Sequence, residues 1–291
     1  MSKHYSRTSS RQSVLLIASA AFAFILSSSP ALSLDSGWTE TQGGRMRLVV
    51  DPAPREDGTI AGILDIGLDP GWKTYWRDPG SAGIPPTLDF SKSQGVTLET
   101  MQYPPPVRVD DGYAIWAGYT APVQLPLILK RTASGDARIH ATAFIGICEK
   151  ICVPFQAEFE IDLSEASARQ SGTEAIISQA FSRLPEPAGV DFNLDESVYD
   201  AASKQLEISA LLPQFRPSGV APELFVAGPA GFAFAPPKLA YQDGRSVRWT
   251  VAVEGMPRTA EAGKSETLEI VVTLGQRAIE QSIQVEGFAR D

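Results

Sequence analysis

The sequence predicts an all-β protein with two β-sandwich domains, joined by a short helical linker and preceded by a cleaved signal peptide. Three observations support this prediction. Apolar residues recur at every second position along most of the chain, turn-forming residues separate these runs, and one stretch carries the 3.6-residue period of a helix.

The composition excludes several classes of protein. The 24 Gly and 22 Pro residues are spread along the 291-residue chain, as expected of many short strands joined by turns. A collagen-like chain would instead carry Gly at every third position. The formal net charge of -9 argues against nucleic acid as a partner, because phosphate backbones are bound through Lys and Arg.

Residues 1–33 predict a secretory signal peptide. Three basic residues precede an apolar run of 13 residues at 14–26, and Ala31 and Ser33 occupy the -3 and -1 positions of a cleavage site. A membrane-spanning helix needs about 20 apolar residues, so the run is short for an anchor. Removal of the segment, which has three positive charges and no acidic residue, would change the formal charge from -9 to -12. We expect an exported protein, in a compartment where disulfides persist.

The alternating pattern of residues 34–165 predicts the first β domain. Alternation of apolar and polar residues is evident at 45–50, 60–68 and 123–129. Asp-Pro-Gly at 69–71 is typical of the turns between them. Strand spacing of this kind is characteristic of a sandwich.

Residues 166–190 predict a helical linker, because the period changes at residues 171–184. The apolar side chains of this stretch fall on one helical stripe: Ile176, Ile177, Ala180, Phe181 and Leu184. Pro185 ends the helix. The strand pattern then resumes, for example at residues 247–253, so residues 191–291 predict a second β-sandwich domain, without Cys or His.

The only two cysteines, Cys148 and Cys152, lie in the motif GICEKICVPF at residues 146–155. Apolar side chains occupy the odd positions on both sides, so the even positions, including both cysteines, are predicted to face solvent. The three residues between them suit a hairpin turn that places the cysteines opposite each other. Opposed strand residues have Cβ atoms about 4.5–5.5 Å apart, farther than the about 3.8 Å of a relaxed disulfide. The pattern predicts an accessible bridge that is easily reduced.

Other roles for the pair stay open on these residues alone. A structural disulfide is the usual role of a cysteine pair in an exported protein, although a five-residue loop would contribute only about 2 kcal/mol. Copper(I) binding lacks a third ligand, because His140 would lie roughly 26 Å from Cys148 along an extended strand. We therefore predict neither a metal nor a cofactor. A Ser-His-Asp hydrolase is disfavoured by the single His beyond the signal peptide.

Three motifs occur in a distinctive order: GWKTYWRDPGSAGIP at residues 71–85, LPLIL at 125–129 and the cysteine motif at 146–155. In this order they resemble the N-terminal periplasmic domain of the thiol:disulfide interchange protein DsbD and its ScsB-type relatives, over about residues 45–163. The resemblance implies an immunoglobulin-like fold and an exposed cysteine pair that passes electrons to oxidised periplasmic partners. The second β domain resembles the extra immunoglobulin-like module of ScsB-type proteins in its strand pattern.

The resemblance also implies roles for individual residues. Cys152 would form the mixed disulfide with partner proteins, and Cys148 would resolve it. The family shields its cysteines with an aromatic cap loop, for which Tyr113, Trp116 and Tyr119 are the candidates in this sequence. The alternative for these three residues is that they are ordinary core or edge aromatics.

A second aromatic cluster, Trp72, Tyr75 and Trp76, is predicted to be structural. Trp72 and Trp76 have the same parity and should point inward. Arg77 and Asp78 are predicted to stabilise a turn as a pair.

These observations predict a periplasmic thiol–disulfide exchange protein, a component of protein-disulfide reduction whose partners are periplasmic thiol and disulfide proteins. The sequence lacks the multi-helix membrane domain and the thioredoxin-like domain of DsbD. We therefore expect a separate membrane or thioredoxin-like protein to supply electrons. The alternatives are a non-catalytic binding or assembly module with a structural disulfide, and a copper-handling protein.

Overall fold

The computed structural model describes residues 1–2, 34–80, 83–132, 135–163, 171–215, 218–258, 260 and 264–288. The predicted signal peptide, apart from its first two residues, lies outside the described residues. No helix within the described ranges is long and apolar enough to cross a membrane.

The first sandwich consists of two antiparallel sheets formed by residues 39–162. One sheet has the strand order β1-β2-β3-β9-β6, and the other has the order β11-β10-β4-β8-β7, with β5 beside β10. The strands are β1 (Thr39–Thr41), β2 (Gly44–Pro54), β3 (Thr59–Leu68), β4 (Lys73–Tyr75), β5 (Thr87–Asp89), β6 (Val96–Met101), β7 (Val107–Asp110), β8 (Ile115–Tyr119), β9 (Val123–Arg131), β10 (Arg138–Cys148) and β11 (Cys152–Asp162).

The alternating pattern of the sequence places the core between these two sheets. Met46 and Leu48 of β2 and Leu125 and Leu127 of β9 are fully buried in it, opposite side chains of the other sheet such as Phe159. In β11 the odd positions from 155 to 161 are buried and the even positions from 152 to 160 are exposed, as the parity predicts.

Helix α1 (Ser171–Phe181), the only helix among the described residues, packs on the outer face of the first sheet. Its Ile177 and Ala180 lie against Ile63 and its neighbours there, which explains the apolar stripe. The helix ends three residues earlier than predicted, because Pro185 disfavours the helical conformation of Leu184. The chain leaves it through tighter i to i+3 hydrogen bonds, such as Leu184 N–H to Phe181 O at 3.2 Å.

The second sandwich is formed by residues 186–285. One sheet has the order β12-β20-β19-β15, and the other has the order β13-β14-β18-β16, with β17 beside β18. The strands are β12 (Glu186–Pro187), β13 (Asn193–Asp200), β14 (Gln205–Leu211), β15 (Glu223–Ala227), β16 (Ala233–Phe234), β17 (Lys238–Asp243), β18 (Ser246–Gly255), β19 (Glu266–Leu274) and β20 (Arg277–Val285). The all-β prediction is confirmed.

The two sandwiches are in direct contact. Four buried side chains of the second sandwich, Phe225, Ala227, Val271 and Ala278, belong to the same apolar cluster as the core of the first. The ring of Phe225 meets Trp76 edge to face, with 5.9 Å between centroids. Apolar burial therefore continues from one sandwich into the other.

Candidate active site

The two cysteines end the strands of one hairpin. Cys148 is the last residue of β10 and Cys152 the first of β11, and the two are register partners with Cα atoms 4.1 Å apart. Their sulfurs are bonded. The turn between them projects from the surface, with Ile151 78% exposed. The predicted hairpin and its cysteine register are confirmed.

The two sulfurs differ in exposure. Cys152 is exposed, whereas Cys148 is only 1% exposed. The prediction that both face solvent is therefore wrong for Cys148. Parity placed it on the correct face of the sheet, but this part of the face is covered by a second, smaller apolar cluster that contains Tyr75 and Trp116, with Ile84 and Val109 at its margin.

Strand register places this cover beside the disulfide. Cys148 pairs with Lys73 of β4, and Tyr75, two residues further along β4, pairs with Gly118 of β8. Register partners in an antiparallel sheet share a face, so Tyr75 and Trp116 lie on the cysteine side. Strands β4 and β8 approach closely because position 118 is Gly, since a Cβ there would lie 2.2 Å from the Thr74 carbonyl oxygen.

The hydroxyl of Tyr75 contacts both sulfurs. Its oxygen lies 3.1 Å from Cys148 Sγ and 3.2 Å from Cys152 Sγ. The ring is held by Trp116, which meets it edge to face with centroids 5.9 Å apart. Burial, and secondarily the charge of Asp111, raise the pKa of Tyr75 above its usual value. The hydroxyl consequently keeps its proton and can donate it in a hydrogen bond to a thiolate.

Asp111 links the loop between β7 and β8 to the same cluster. Its Oδ2 accepts hydrogen bonds from Lys73 Nζ at 2.6 Å and from Trp116 Nε1 at 3.2 Å. The Lys73 hydrogen bond and the backbone amides of Ala114 and Tyr113 hold the pKa of Asp111 well below its usual range. Lys73 Nζ also lies 4.3 Å above the Trp116 ring. These contacts fix Trp116 over the cysteine side of β4.

The three cap-loop candidates have different environments. Trp116 lies in the cluster that covers Cys148. Tyr113 is 100% exposed at the tip of the loop between β7 and β8. Tyr119 points to the opposite face of the sheet, where it is buried and its hydroxyl donates to Pro104 O at 2.8 Å. The structure thus brings only Trp116 of the three into the cluster around Cys148.

The aromatic cluster at residues 72–76 is divided between the two faces. Trp76 is fully buried in the core and Trp72 is half-buried against it, as predicted. Tyr75 is at an odd position, whereas Trp72 and Trp76 are at even positions. This difference in the sequence could have placed Tyr75 on the face of the sheet that carries the cysteines. Lys73 shares that parity, so the alternation within β4 marks both residues as neighbours of the cysteines.

The predicted turn pair of Arg77 and Asp78 is not formed. Arg77 instead makes an ion pair with Glu280 of the second sandwich. Asp78 accepts the Gly80 N–H at 3.2 Å, and burial raises its pKa. The partner of Arg77 lies more than two hundred residues away, so local sequence reasoning could not identify it.

No three His, Cys, Asp or Glu side chains among the described residues are grouped so as to hold a metal ion. His140 lies beside Glu160, with 3.4 Å between Nδ1 and the carboxylate oxygen. The two sulfurs of the disulfide have different environments. One sulfur is open to attack, and the other is buried beside a hydroxyl donor that suits a leaving thiolate.

Comparison with known proteins finds a family model that matches the part of the chain containing both cysteines. Residues 47–164 match the family model of the thiol:disulfide interchange protein DsbD, N-terminal. Among solved structures, the N-terminal periplasmic domain of ScsB from Proteus mirabilis has a TM-score of 0.68 at 22% identity, over 88% of this chain and 100% of that one. No curated protein sequence matches the chain. The structural similarity includes both sandwiches and confirms the predicted immunoglobulin-like fold.

Proposed function

Because residues 47–164 match the family model of DsbD N-terminal domains, we propose that this chain is a periplasmic thiol–disulfide exchange protein. Cys148 and Cys152 cycle between disulfide and dithiol. The observation that carries the proposal is the unequal exposure of two bonded sulfurs, only one of which a partner protein can reach. We assign this chemistry to a domain at residues 34–165, followed by a linker at 166–190, whose end contributes strand β12 to the second sandwich, and a second sandwich domain at 191–291.

Reduction begins at the exposed sulfur. A thiolate of a donor dithiol protein attacks Cys152 Sγ, the Cys148–Cys152 bond breaks, and Cys148 leaves with the electron pair as a thiolate. The Tyr75 hydroxyl, 3.1 Å from that sulfur, donates a hydrogen bond to it. The second thiol of the donor then attacks the donor sulfur of the mixed disulfide and releases Cys152. Two electrons and two protons have moved from the donor to this chain.

Transfer to a partner reverses these roles. The Cys152 thiolate attacks a disulfide of an oxidised periplasmic protein and forms a mixed disulfide, while the other partner sulfur leaves. Cys148 then attacks Cys152 Sγ, which restores the internal disulfide and releases the partner as a dithiol. The 4.1 Å between the Cα atoms keeps the resolving sulfur within reach throughout. Cys152 is thus the partner-facing nucleophile and Cys148 the resolving thiol.

Trapping in the native periplasm tests this proposal. The variant Cys148→Ala keeps the exposed thiol and should accumulate mixed disulfides with specific proteins that dithiothreitol cleaves. The matched variant Cys152→Ala keeps only the buried thiol and should accumulate far fewer. If neither variant forms adducts and the wild-type disulfide resists millimolar glutathione, the pair is a structural disulfide and the proposal fails.

A further inference from the structure

The short strands β4, β7 and β8 of the first sandwich lie between two sets of contacts. The residues that cover the disulfide lie on one face of these strands, and the second sandwich contacts the other face. In β4 and the residues that follow it, Tyr75 faces the sulfurs and Trp76 faces the opposite way. In β8, Trp116 covers Cys148, whereas its neighbour Ala117 belongs to the core that includes Phe225. Successive side chains alternate between faces, so each contact with the second sandwich adjoins a contact with the disulfide.

The contacts made by the second sandwich centre on Trp76 and Arg77. The Phe225 ring meets Trp76 at 5.9 Å between centroids, and both rings are buried. Glu280 of β20 pairs with Arg77, whose guanidinium also lies 4.8 Å from the centre of the Trp76 ring and 5.0 Å from that of Tyr103. The side chains that immediately follow Tyr75 are thus held from the second sandwich.

The second sandwich also makes contacts with β7. Arg108 donates from Nη2 to the Leu224 carbonyl oxygen at 2.6 Å, and its guanidinium lies 4.6 Å from the centre of the Phe225 ring. Arg108 is the register partner of Ala117, one residue from Trp116. The residues that cover Cys148 are consequently braced on two adjacent strands.

We propose that the second sandwich is a positioning element of the redox site, in which Phe225 and Glu280 hold Trp76 and Arg77 and thereby fix the Tyr75 hydroxyl between the two sulfurs. The inference rests on the proposed function and extends it, since it gives the second sandwich a part in the reactivity of the first. Strand β4 has only three residues, so it depends on neighbours for its position. A hydrogen bond weakens steeply with misalignment, so a small displacement of β4 removes the contact with the sulfur.

Loss of these contacts should shift the equilibrium between disulfide and dithiol toward the disulfide. A displaced Tyr75 no longer stabilises the Cys148 thiolate, so the reduced form becomes less favourable. For the variant Glu280→Gln we expect the equilibrium constant for reduction by glutathione to fall about threefold to tenfold, which lies within the range of coupling found along packed networks. The rate of attack at Cys152 should fall in the same sense, because the leaving thiolate is less stable.

The experiment compares full-length variants equilibrated in glutathione buffers, with free thiols counted after alkylation. Glu186→Gln is the matched control, because Glu186 pairs with Arg277 inside the second sandwich and its removal should leave the equilibrium unchanged. Phe225→Leu is a second, independent variant in case Glu280→Gln does not fold, and urea unfolding of every variant establishes that each is folded. In a Tyr75→Phe background the effect of Glu280→Gln should disappear, because the hydroxyl through which it acts is absent.

The outcomes separate the inference from the proposed function. If Glu280→Gln and Phe225→Leu both retain the wild-type equilibrium constant while the wild-type disulfide exchanges readily, the inference is overturned and the proposed function stands. The inference is also overturned if Glu280→Gln has an undiminished effect in the Tyr75→Phe background. A wild-type disulfide that glutathione does not reduce would instead remove the proposed function.

Discussion

The substitution Tyr75→Phe removes a single oxygen from the site. The ring and its edge-to-face contact with Trp116 remain, so the cover over Cys148 is retained. The hydroxyl that lies 3.1 Å from Cys148 Sγ and 3.2 Å from Cys152 Sγ is lost. The perturbation therefore affects the sulfur chemistry more than the packing.

The magnitude follows from the charge of the reduced form. A hydrogen bond to a charged group contributes about 1.5–3 kcal/mol, whereas one to a neutral group contributes about half as much. Removing the donor from the Cys148 thiolate should lower the equilibrium constant for reduction by about 10- to 100-fold, which corresponds to about 30–60 mV for a two-electron couple. The midpoint potential of Tyr75→Phe should become more negative by that amount.

The assay is equilibration in glutathione redox buffers of graded composition, followed by alkylation and separation of the oxidised and reduced protein. The shift should be larger at alkaline than at acidic pH, because only a deprotonated thiol accepts a charge-assisted hydrogen bond. Tyr75 itself remains a donor over this range, since its pKa is raised above the usual value near 10.

Tyr119→Phe serves as the control for this experiment. Its hydroxyl is also buried and hydrogen-bonded, but to Pro104 O on the opposite face of the sheet. We expect a loss of stability without a change in potential. A Tyr75→Phe variant with the wild-type potential, or an equal shift in Tyr119→Phe, would refute the assigned role of the hydroxyl.

Three further predictions concern the surroundings of the disulfide. The pKa of Asp111 is lower in the folded protein than in the unfolded chain, where it is about 3.9. The contribution of the charged carboxylate to stability is therefore complete above the unfolded pKa and is lost as the pH falls through the lower, folded pKa. The thermal midpoints of wild type and Asp111→Asn should consequently converge only in acid. A pH-independent difference would contradict this. Gly118→Ala should lower the free energy of unfolding, measured in urea, by about 1–3 kcal/mol, because the new methyl group clashes with backbone. In the control Gly135→Ala the new methyl group meets open space, so the free energy of unfolding should change by less than about 0.5 kcal/mol. Equal effects would show that β4 and β8 separate at little cost. In the reduced protein, iodoacetamide should alkylate Cys152 before Cys148, as followed by fragmentation mass spectrometry, and equal rates would contradict the observed difference in exposure.

The strands and the cysteine hairpin could be predicted from the sequence because both depend on local information. Side chains alternate with a period of two, so one correctly assigned strand fixes the face of every residue in it, and three intervening residues fix the register of Cys148 and Cys152. The helix could be predicted for the same reason, apart from its last residues, where the effect of Pro185 extends further back than expected.

The environment of Cys148 depends on residues distant in sequence. Parity identifies the face on which Cys148 lies but not what covers that face, and Tyr75 precedes Cys148 by 73 residues. Arg77 and its partner Glu280 are separated by 203 residues. The contacts that cover the disulfide and join the two sandwiches therefore become visible only once the sheets are assembled.

The difference in exposure between the two sulfurs also bears on oxidative damage. In the dithiol form, the exposed Cys152 is the sulfur that hydrogen peroxide would reach, and its first product would be a sulfenic acid. Cys148 is shielded from the oxidant, yet it lies directly across the hairpin, where it can condense with that sulfenic acid, with loss of water, to re-form the disulfide. The same short hairpin would thus stop oxidation at its reversible stage, before sulfinic acid forms.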